Sequence, residues 1–381
     1  MDEPDWGVPE TDVLAHLGAL LDAGEPAVLA TVIGVEGSAY RRPGAKMVVE
    51  EDGGGSGHIT AGCLEDEVFE LADEVLAAGE PRVETYDLMT DGDDIWGLGV
   101  GCNGVIDILL EPIDDGLAPA VAAHDRGEPV AVLTALSGDV PLGARAFYTP
   151  DGGVAAGEGI PDWLADAAAE PAAALLEAGA SETLTVSGAA GTAELFVDSL
   201  RPAPELAVFG SGHDVGPVVE LAKRAGFRVT VVGYRGAADL EERFPRADAT
   251  VTAAPGRVDD AVDLDGDTHA VVMTHNFIDD RLTVEALVDA GVPYIGLMGP
   301  RERFEEMLEE FEAEGRSFGP AALDAVYTPV GLDVGGGSPY QIATSIVAEV
   351  LAVANGRDPG HLREREAPIH DRVSVGAASE D

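Results

Sequence analysis

The chain has 381 residues, of which 71 are acidic and 22 are basic, so its formal net charge is −49. The length predicts two or three domains, and a hydrophobic content of 46% indicates a globular protein with ample core. A charge this negative repels nucleic acids and anionic membrane surfaces, so we expect neither as a partner.

The N-terminus carries neither the basic region nor the apolar run of a signal peptide, and no apolar stretch approaches the roughly 18 residues of a membrane span. We therefore expect a cytoplasmic protein without a membrane span. Acidic residues are spread along the chain, and lysine occurs only at Lys46 and Lys223. Such a surface fits a halophilic cytoplasm, where salt screens self-repulsion.

The N-terminal half predicts a mixed helix and strand region. Apolar residues at helical spacing predict a helix over 11–23 that ends at Gly24. Strands are expected over 26–35, 45–50 and 105–111, and a helix over 64–78.

A weak internal repeat follows this region. Gly24-Glu-Pro-Ala-Val-Leu-Ala-Thr-Val32 resembles Gly127-Glu-Pro-Val-Ala-Val-Leu-Thr-Ala135, and each copy continues with a second strand, a turn and a helix. Residues 105–112 and 192–199 close the two copies. We interpret 24–112 and 127–200 as two related lobes, the second a packing copy that lacks any counterpart of the basic cluster or cysteines described below.

From Pro204 onward, strands alternate with helices, a pattern typical of a parallel sheet covered on both faces. The expected strands are 206–209, 228–232, 270–274 and 292–297, and the expected helices are 215–225, 281–290, 301–314 and 339–355. The predicted fold class is α/β, with an N-terminal α+β region of two related lobes followed by a Rossmann-like parallel-sheet domain. The expected domains are 1–112, 113–203 and 204–360, with a disordered tail over 361–381.

The segment Glu36-Gly-Ser-Ala-Tyr-Arg-Arg-Pro-Gly-Ala-Lys46 gathers Ser38, Arg41, Arg42 and Lys46 in one short stretch. A local basic cluster in so acidic a chain predicts an anion held at close range. Gly57-His-Ile-Thr-Ala-Gly-Cys-Leu-Glu65 follows, and places Cys63 and Glu65 at the entry to a helix. The alternative is a basic turn in a surface loop beside a small buried cysteine.

The two cysteines, Cys63 and Cys102, are too few for a disulfide framework or a four-thiolate zinc site. Cys63 lies where a helix dipole favours a thiolate, and Cys102, followed by Asn103, lies in the glycine-rich segment 97–104. If both thiols meet in space, they could handle sulfur or a soft metal.

Leu206-Ala-Val-Phe-Gly-Ser-Gly-His-Asp214 follows a strand and opens a helix, which places Gly210, Gly212 and His213 where a phosphate would approach. The third glycine of the dinucleotide fingerprint is replaced by Val215, and Gly233 stands where an acidic residue would bind a ribose. Arg235 could instead receive a 2′-phosphate or another anion. The alternative is a Rossmann-like domain without a bound dinucleotide.

Other polar residues follow the remaining strands of this domain, at the edge that lines the binding crevice of open α/β sheets. They are His275, Asn276, Arg301 and Asp333. His275, Arg301 and Asp333 could face one pocket, and each could equally serve as a turn or cap. Ser338 and Pro339 predict the start of the last helix.

Taken in order, these motifs resemble the XdhC/CoxI family of accessory proteins for xanthine dehydrogenase and related molybdenum hydroxylases, over nearly the whole chain. The resemblance rests on 36–47, 61–65 and 97–104 in the first half. In the second half it rests on 209–214, 274–277, 294–299, 329–333 and 348–349.

The resemblance implies a chaperone that binds molybdenum cofactor, supports its sulfuration and delivers it to an apo molybdenum hydroxylase. We expect this chaperone to bind molybdopterin through the N-terminal lobe and a nucleotide, such as NADP, or the pterin tail against the Rossmann-like domain. The resemblance also implies contact with the pterin phosphate or a nucleotide anion for Arg41, Arg42 and Lys46, and with cofactor or sulfur for Cys63 and Cys102. The expected partners are that apo-enzyme and the sulfuration machinery. The sequence leaves open whether the protein forms a homodimer. Gly233, Tyr234 and Arg235 depart from the Asp-Arg that the family commonly has at the second Rossmann strand.

Two further hypotheses come from other classes. One is an NAD(P)-dependent oxidoreductase that binds NADP or another nucleotide in the Rossmann-like crevice, although no residue set forms a convincing hydride-transfer site. The other is a redox-inert scaffold that bridges maturation proteins. A pterin that co-purifies with the protein would favour the chaperone, and a nicotinamide would favour the oxidoreductase.

Overall fold

The computed structural model describes residues 6–37, 39–88, 104–188, 190–234 and 239–366. They form two compact units, whose boundary lies between Pro202 and Ala203. None of the described helices is long and apolar enough to cross a bilayer.

The first unit begins with a helix and a five-stranded antiparallel sheet. Its elements are α1 (Glu10–Ala23), β1 (Ala27–Gly37), β2 (Lys46–Glu50), β3 (Gly55–Gly57), α2 (Glu65–Ala78), β4 (Arg82–Asp87) and β5 (Gly104–Pro112). The strand order is β3-β2-β1-β5-β4, with β1 at the centre. One face of β1 (Val28, Ala30, Val32) packs on the core under α2, and Ala27 and Leu29 contribute to the core that includes α1.

The same architecture is repeated once in this unit. The elements are α3 (Ala118–Asp125), β6 (Val130–Ser137), β7 (Arg145–Thr149), β8 (Gly153–Ala156), α4 (Asp162–Ala178), β9 (Glu182–Gly188) and β10 (Gly191–Leu200). The strand order β8-β7-β6-β10-β9 matches that of the first sheet. We use "first lobe" and "second lobe" for 24–112 and 127–200, the two copies of the repeat.

The two lobes share a core and two buried ion pairs. Side chains of α1 and α3 pack with Leu29 of the first sheet and Val132 of the second in one apolar cluster. Lys46 Nζ lies 2.7 Å from Asp198 Oδ2 of the second lobe, and Arg145 of the second lobe pairs with Glu111 of the first. All four side chains are at most 10% exposed. Burial raises the pKa of Glu111, and Arg145 partly offsets the rise.

These pairs connect equivalent positions of the repeat reciprocally. Lys46 lies opposite Thr31 on β1, and Arg145 lies opposite Thr134 on β6. The second lobe therefore has a counterpart of Lys46, so the expectation that it lacks any part of the basic cluster is wrong at this position. The likeness of Arg42-Pro-Gly-Ala-Lys46 to Pro141-Leu-Gly-Ala-Arg145 emerges only when the strand register aligns the two turns.

The second unit is a six-stranded parallel sheet with helices. Its elements are β11 (Glu205–Phe209), α5 (Val215–Arg224), β12 (Arg228–Tyr234), α6 (Leu240–Arg243), β13 (Ala249–Ala253), β14 (Thr268–Val272), α7 (Phe277–Ala290), β15 (Tyr294–Leu297), α8 (Arg301–Ala313), α9 (Pro320–Asp324), β16 (Val326–Tyr327) and α10 (Pro339–Ala354). The order is β13-β12-β11-β14-β15-β16, so the chain changes direction across the sheet between β11 and β14. Apolar clusters cover both faces. The predicted fold class is confirmed.

The reciprocal ion pairs generate a stability prediction. Removal of one partner leaves a buried charge without compensation, so Asp198→Leu is expected to cost about 3–5 kcal/mol in the free energy of unfolding. The double variant Lys46→Met, Asp198→Leu removes both charges and is expected to recover most of that loss. Arg82→Gln, at an exposed pair with Glu74 and Glu84, is the control and should cost at most ~1 kcal/mol. Guanidinium unfolding measures all three; equal losses in the single and double variants would contradict the account.

Candidate functional site

The basic cluster lies on the turn that connects β1 to β2. The turn folds back because Gly44 N donates to Val32 O at 2.8 Å and Val32 N donates to Ala45 O at 2.9 Å. Gly44 has a φ of 98°, and a Cβ there would lie 2.8 Å from Ser181 Oγ of the second lobe. A side chain at this position would be strained at the positive φ and would also clash with Ser181, so only glycine fits. The turn therefore packs directly against the second lobe.

Glu10, at the start of α1, holds this turn from the other side. Its carboxylate accepts from Arg41 Nη2 and, at 3.2 Å, from the backbone N–H of Lys46. Burial raises the pKa of Glu10, and the charges of Lys46 and Arg41 oppose the rise. Sequence reasoning missed Glu10, because no local pattern links a helix start to a turn more than thirty residues later.

The three residues predicted to bind an anion differ in whether they already have a partner. Arg41 is paired with Glu10, and the Lys46 ammonium is buried against Asp198 and Gly44 O. Arg42 makes no hydrogen bond or ion pair with any described residue, and its Nε atom is buried without a partner. Of this cluster, Arg42 is the cation that remains available to a ligand.

Arg42 lines a cleft of about 830 Å³ in the first unit. The first lobe supplies the end of β1 (33–36), residues 40–46 and Asp107, and α1 supplies Glu10, Thr11 and Leu14. Residues 179–183 and 198–201, from the second lobe and the residue that follows it, line the opposite side. Thr183 Oγ1 donates to Ile33 O at 2.7 Å across the two lobes. No motif in the sequence indicates this second-lobe contribution.

The segment before α2 is organised by Glu65. Its carboxylate accepts from the Thr60 hydroxyl, from Thr60 N at 3.0 Å and from Leu64 N at 3.1 Å. Burial alone would raise the pKa of Glu65, but these hydrogen bonds outweigh it and hold the pKa below its ordinary value. Cys63 lies in this segment, and neither Cys63 nor Glu65 is among the residues that line the cleft.

Four predicted site residues, Ser38, Cys102, Asn103 and Arg235, lie outside the described residues. A meeting of Cys63 with Cys102 therefore stays a prediction. In the described part of the chain, no group of three or more His, Cys, Asp or Glu side chains is placed to hold a metal ion.

In the second unit, the predicted glycines lie at the end of β11, where the strand order reverses. Gly210 has a φ of 150°, and a Cβ there would lie 2.6 Å from Met273 O. A Cβ at Gly212 would lie 2.2 Å from Asp214 Oδ1. The Asp214 carboxylate thus lies over the glycine turn at the N-terminus of α5, and His213 beside it is exposed.

His275 lies in the loop after β14, the strand next to β11 at the point where the strand order reverses. It is one of two described non-glycine residues with a positive φ, at 60°, and its Nε2 lies 2.7 Å from Asp214 Oδ2. Asp280, a buried residue of α7, stabilises the loop. Its carboxylate accepts from Thr274 Oγ1 at 2.5 Å and pairs with Arg303 at 2.5 Å. The His275 ring is therefore oriented by Asp214 and remains exposed.

The remaining predicted residues of this unit are spread out. Asn276 caps α7 by accepting from Ile278 N and Asp279 N, so this helix begins four residues before its predicted start. Arg301 is the exposed first residue of α8, and Asp333 is exposed in the segment that precedes α10. No hydrogen bond or ion pair joins His275, Arg301 and Asp333, all of which are described. Ser338 caps α10 as predicted, in a capping box with Gln341.

Two family models match the chain. The model of the XdhC Rossmann domain matches residues 206–350, and the model of the XdhC and CoxI family matches residues 20–87. A protein of Bacillus subtilis (strain 168) named as a probable xanthine dehydrogenase subunit is 32% identical over 88% of this chain and 95% of that protein. The chain belongs to the XdhC and CoxI family. The resemblance noted from the motifs is thereby confirmed.

Two further comparisons cover most of the chain. A crystal structure described as a xanthine dehydrogenase from Bacillus halodurans superposes with a TM-score of 0.74 at 30% identity, covering 91% of this chain and 96% of that one. "Molybdenum cofactor insertion chaperone PaoD" of Escherichia coli (strain K12) is 23% identical over 91% of this chain and 92% of that protein.

Glu65 generates a prediction about pH. Because its pKa is lowered on folding, its contribution to stability is present above the ordinary value of 4.5 and is lost as the pH falls through the lowered folded value. Glu65→Gln is therefore expected to be less stable than the native protein at pH 7, and the difference should shrink below pH 4.5. Chemical unfolding at pH 7 and at pH 3.5 measures this; a difference that is independent of pH would contradict it.

Proposed function

We propose that this chain is an accessory chaperone that binds molybdenum cofactor, supports its sulfuration and delivers it to a molybdenum hydroxylase of the xanthine dehydrogenase or carbon monoxide dehydrogenase type. Membership of the XdhC and CoxI family supports a role in cofactor maturation, as does the named function of PaoD. The observation that carries the assignment of a site is Arg42, a cation without a described partner that lines a large cleft.

The residues of the cleft fit a phosphorylated pterin. Arg42 has no acceptor among the described residues, and a phosphate oxygen in the cleft would supply one to its guanidinium group. Tyr40 also lines the cleft with 61% of its surface exposed, and its ring offers a face on which a flat heterocycle can stack. Arg41 and Lys46, already paired with carboxylates, would hold the turn in place.

Cys63 and Cys102 would supply the thiols for the handling of sulfur or cofactor, as the family resemblance implies. The partners would be an apo molybdenum hydroxylase and the sulfuration machinery, in the cytoplasm. Delivery requires that the cofactor leave, and a cleft open to solvent on the rim allows this without unfolding of either lobe.

The alternative, an NAD(P)-dependent oxidoreductase, meets an obstacle in the second unit. A dinucleotide places its pyrophosphate over the glycine turn at the helix N-terminus. Here the Asp214 carboxylate lies over Gly212 and is paired with His275. A second negative group in that place would be repelled, so we favour the chaperone.

The proposal predicts that Arg42→Gln weakens anaerobic binding of molybdopterin by roughly 10- to 100-fold, because a charge-assisted contact is lost. Arg82→Gln is the matched control: it removes the same charge from an exposed, paired arginine of the first lobe and should bind normally. Calorimetry measures both affinities, and a thermal melt checks the fold. Equal affinity in the native and Arg42→Gln proteins would remove Arg42 from the site.

The same titration distinguishes the alternative. The chaperone is expected to bind molybdopterin and neither NAD nor NADP. Tight binding of either nicotinamide that is abolished by a substitution at Gly212, with no binding of the pterin, would establish the oxidoreductase instead.

A further inference from the structure

The basic residues of the first unit fall into two groups, those that pair with a carboxylate and those that do not. Seven lie in its described part, and five of them pair with carboxylates. These five are Arg41, Lys46, Arg82, Arg126 and Arg145. The other two, Arg42 and Arg201, make no hydrogen bond or ion pair with any described residue, and both line the cleft.

This division is informative because acidic residues outnumber basic ones by 71 to 22. With so many carboxylates, a surface arginine readily finds a partner. Two arginines without a described partner, one in the first lobe and one directly after the second, line one cleft and therefore indicate positive charge that is available to a ligand. Because the lining also carries the carboxylates of Glu36, Asp107 and Glu182, an anion would be held by these two guanidinium groups and not by the net charge of the cleft.

Arg201 is positioned by the second lobe. It directly follows β10, and its Nη1 lies 3.1 Å from where a Cβ at Gly179 would be, so the absence of a side chain at Gly179 makes room for it. Gly179 ends α4 with a φ of 62°. A role as a helix cap does not account for Arg201, because Gly179 N and Ala180 N close the end of α4 by donating to Leu176 O and Leu175 O, and Arg201 donates to no described carbonyl of this helix.

We propose that Arg201 is a ligand-binding residue that completes the site with Arg42, so that the second lobe contributes directly to recognition. This inference rests on the proposed function and deepens it. The ligand class is a phosphate monoester or pyrophosphate attached to a flat heterocycle. Two guanidinium groups match the charge of a phosphate monoester near pH 7, and each can donate two parallel hydrogen bonds to its oxygens.

The test compares Arg201→Gln with Arg126→Gln, which removes the same charge from an exposed arginine that directly follows α3 and is paired with Glu128. The probes are molybdopterin, its dephosphorylated form and inorganic pyrophosphate, titrated anaerobically by calorimetry, with a thermal melt of each variant. Arg201→Gln is expected to weaken binding of molybdopterin and pyrophosphate by roughly 10- to 100-fold. It should leave the weaker binding of the dephosphorylated form unchanged, and Arg126→Gln should match the native protein throughout.

The outcomes separate this inference from the proposed function. If Arg201→Gln binds molybdopterin as the native protein does while Arg42→Gln does not, Arg201 is excluded and the chaperone proposal stands. If the native protein binds pyrophosphate through Arg42 and Arg201 but binds no molybdopterin, the two-arginine site stands and the proposed cargo is wrong. If it binds neither, both are overturned. An equal loss of affinity for phosphorylated and dephosphorylated pterin would also overturn the assigned phosphate contact.

Discussion

The first unit depends on two buried ion pairs that connect its lobes reciprocally. Lys46 at the start of β2 pairs with Asp198 of β10, and Arg145 at the start of β7 pairs with Glu111 of β5. A buried charge is tolerated only with a well-placed partner, so each lobe needs the other to neutralise its own charge. Together with the apolar cluster that the lobes share, the pairs constrain how the two sheets face each other, and with them the walls of the cleft.

The cleft depends on these ion pairs and on a difference between the β1–β2 turn of the first lobe and the equivalent β6–β7 turn of the second. In the first lobe the turn carries Arg41 and Arg42, whereas Val140 and Pro141 stand at the aligned positions of the second. The duplicated fold supplies the frame, and the two arginines supply a positive charge on one side of it. Glu10 neutralises Arg41 and holds the turn, and Arg42, which has no described partner, is the residue of the turn that we propose binds the ligand. In this proposal, Arg41 and Lys46 stabilise the turn, and Arg42 recognises the ligand.

Much of the fold was predictable because it depends on local patterns. The β1 strand and helix α2 have clear apolar periodicity, and Ser338 caps α10 where the sequence placed it. Strands β4 and β13 were not predicted, because they are largely unburied edge strands without an apolar run. The proposed site was indicated only in part: the sequence pointed to Arg42, but the partners of Arg41 and Lys46 lie 31 and 152 residues away in sequence. No spacing rule reaches that far, and the same holds for Arg201.

The most direct test of the central claim, that the cleft between the lobes holds the cofactor, is a crystal structure of the protein loaded anaerobically with molybdenum cofactor. The account predicts anomalous scattering from molybdenum in the first unit, with the pterin phosphate in hydrogen-bond contact with the guanidinium groups of Arg42 and Arg201. Molybdenum found instead beside Gly212 and His275 of the second unit, with an empty cleft between the lobes, would contradict it.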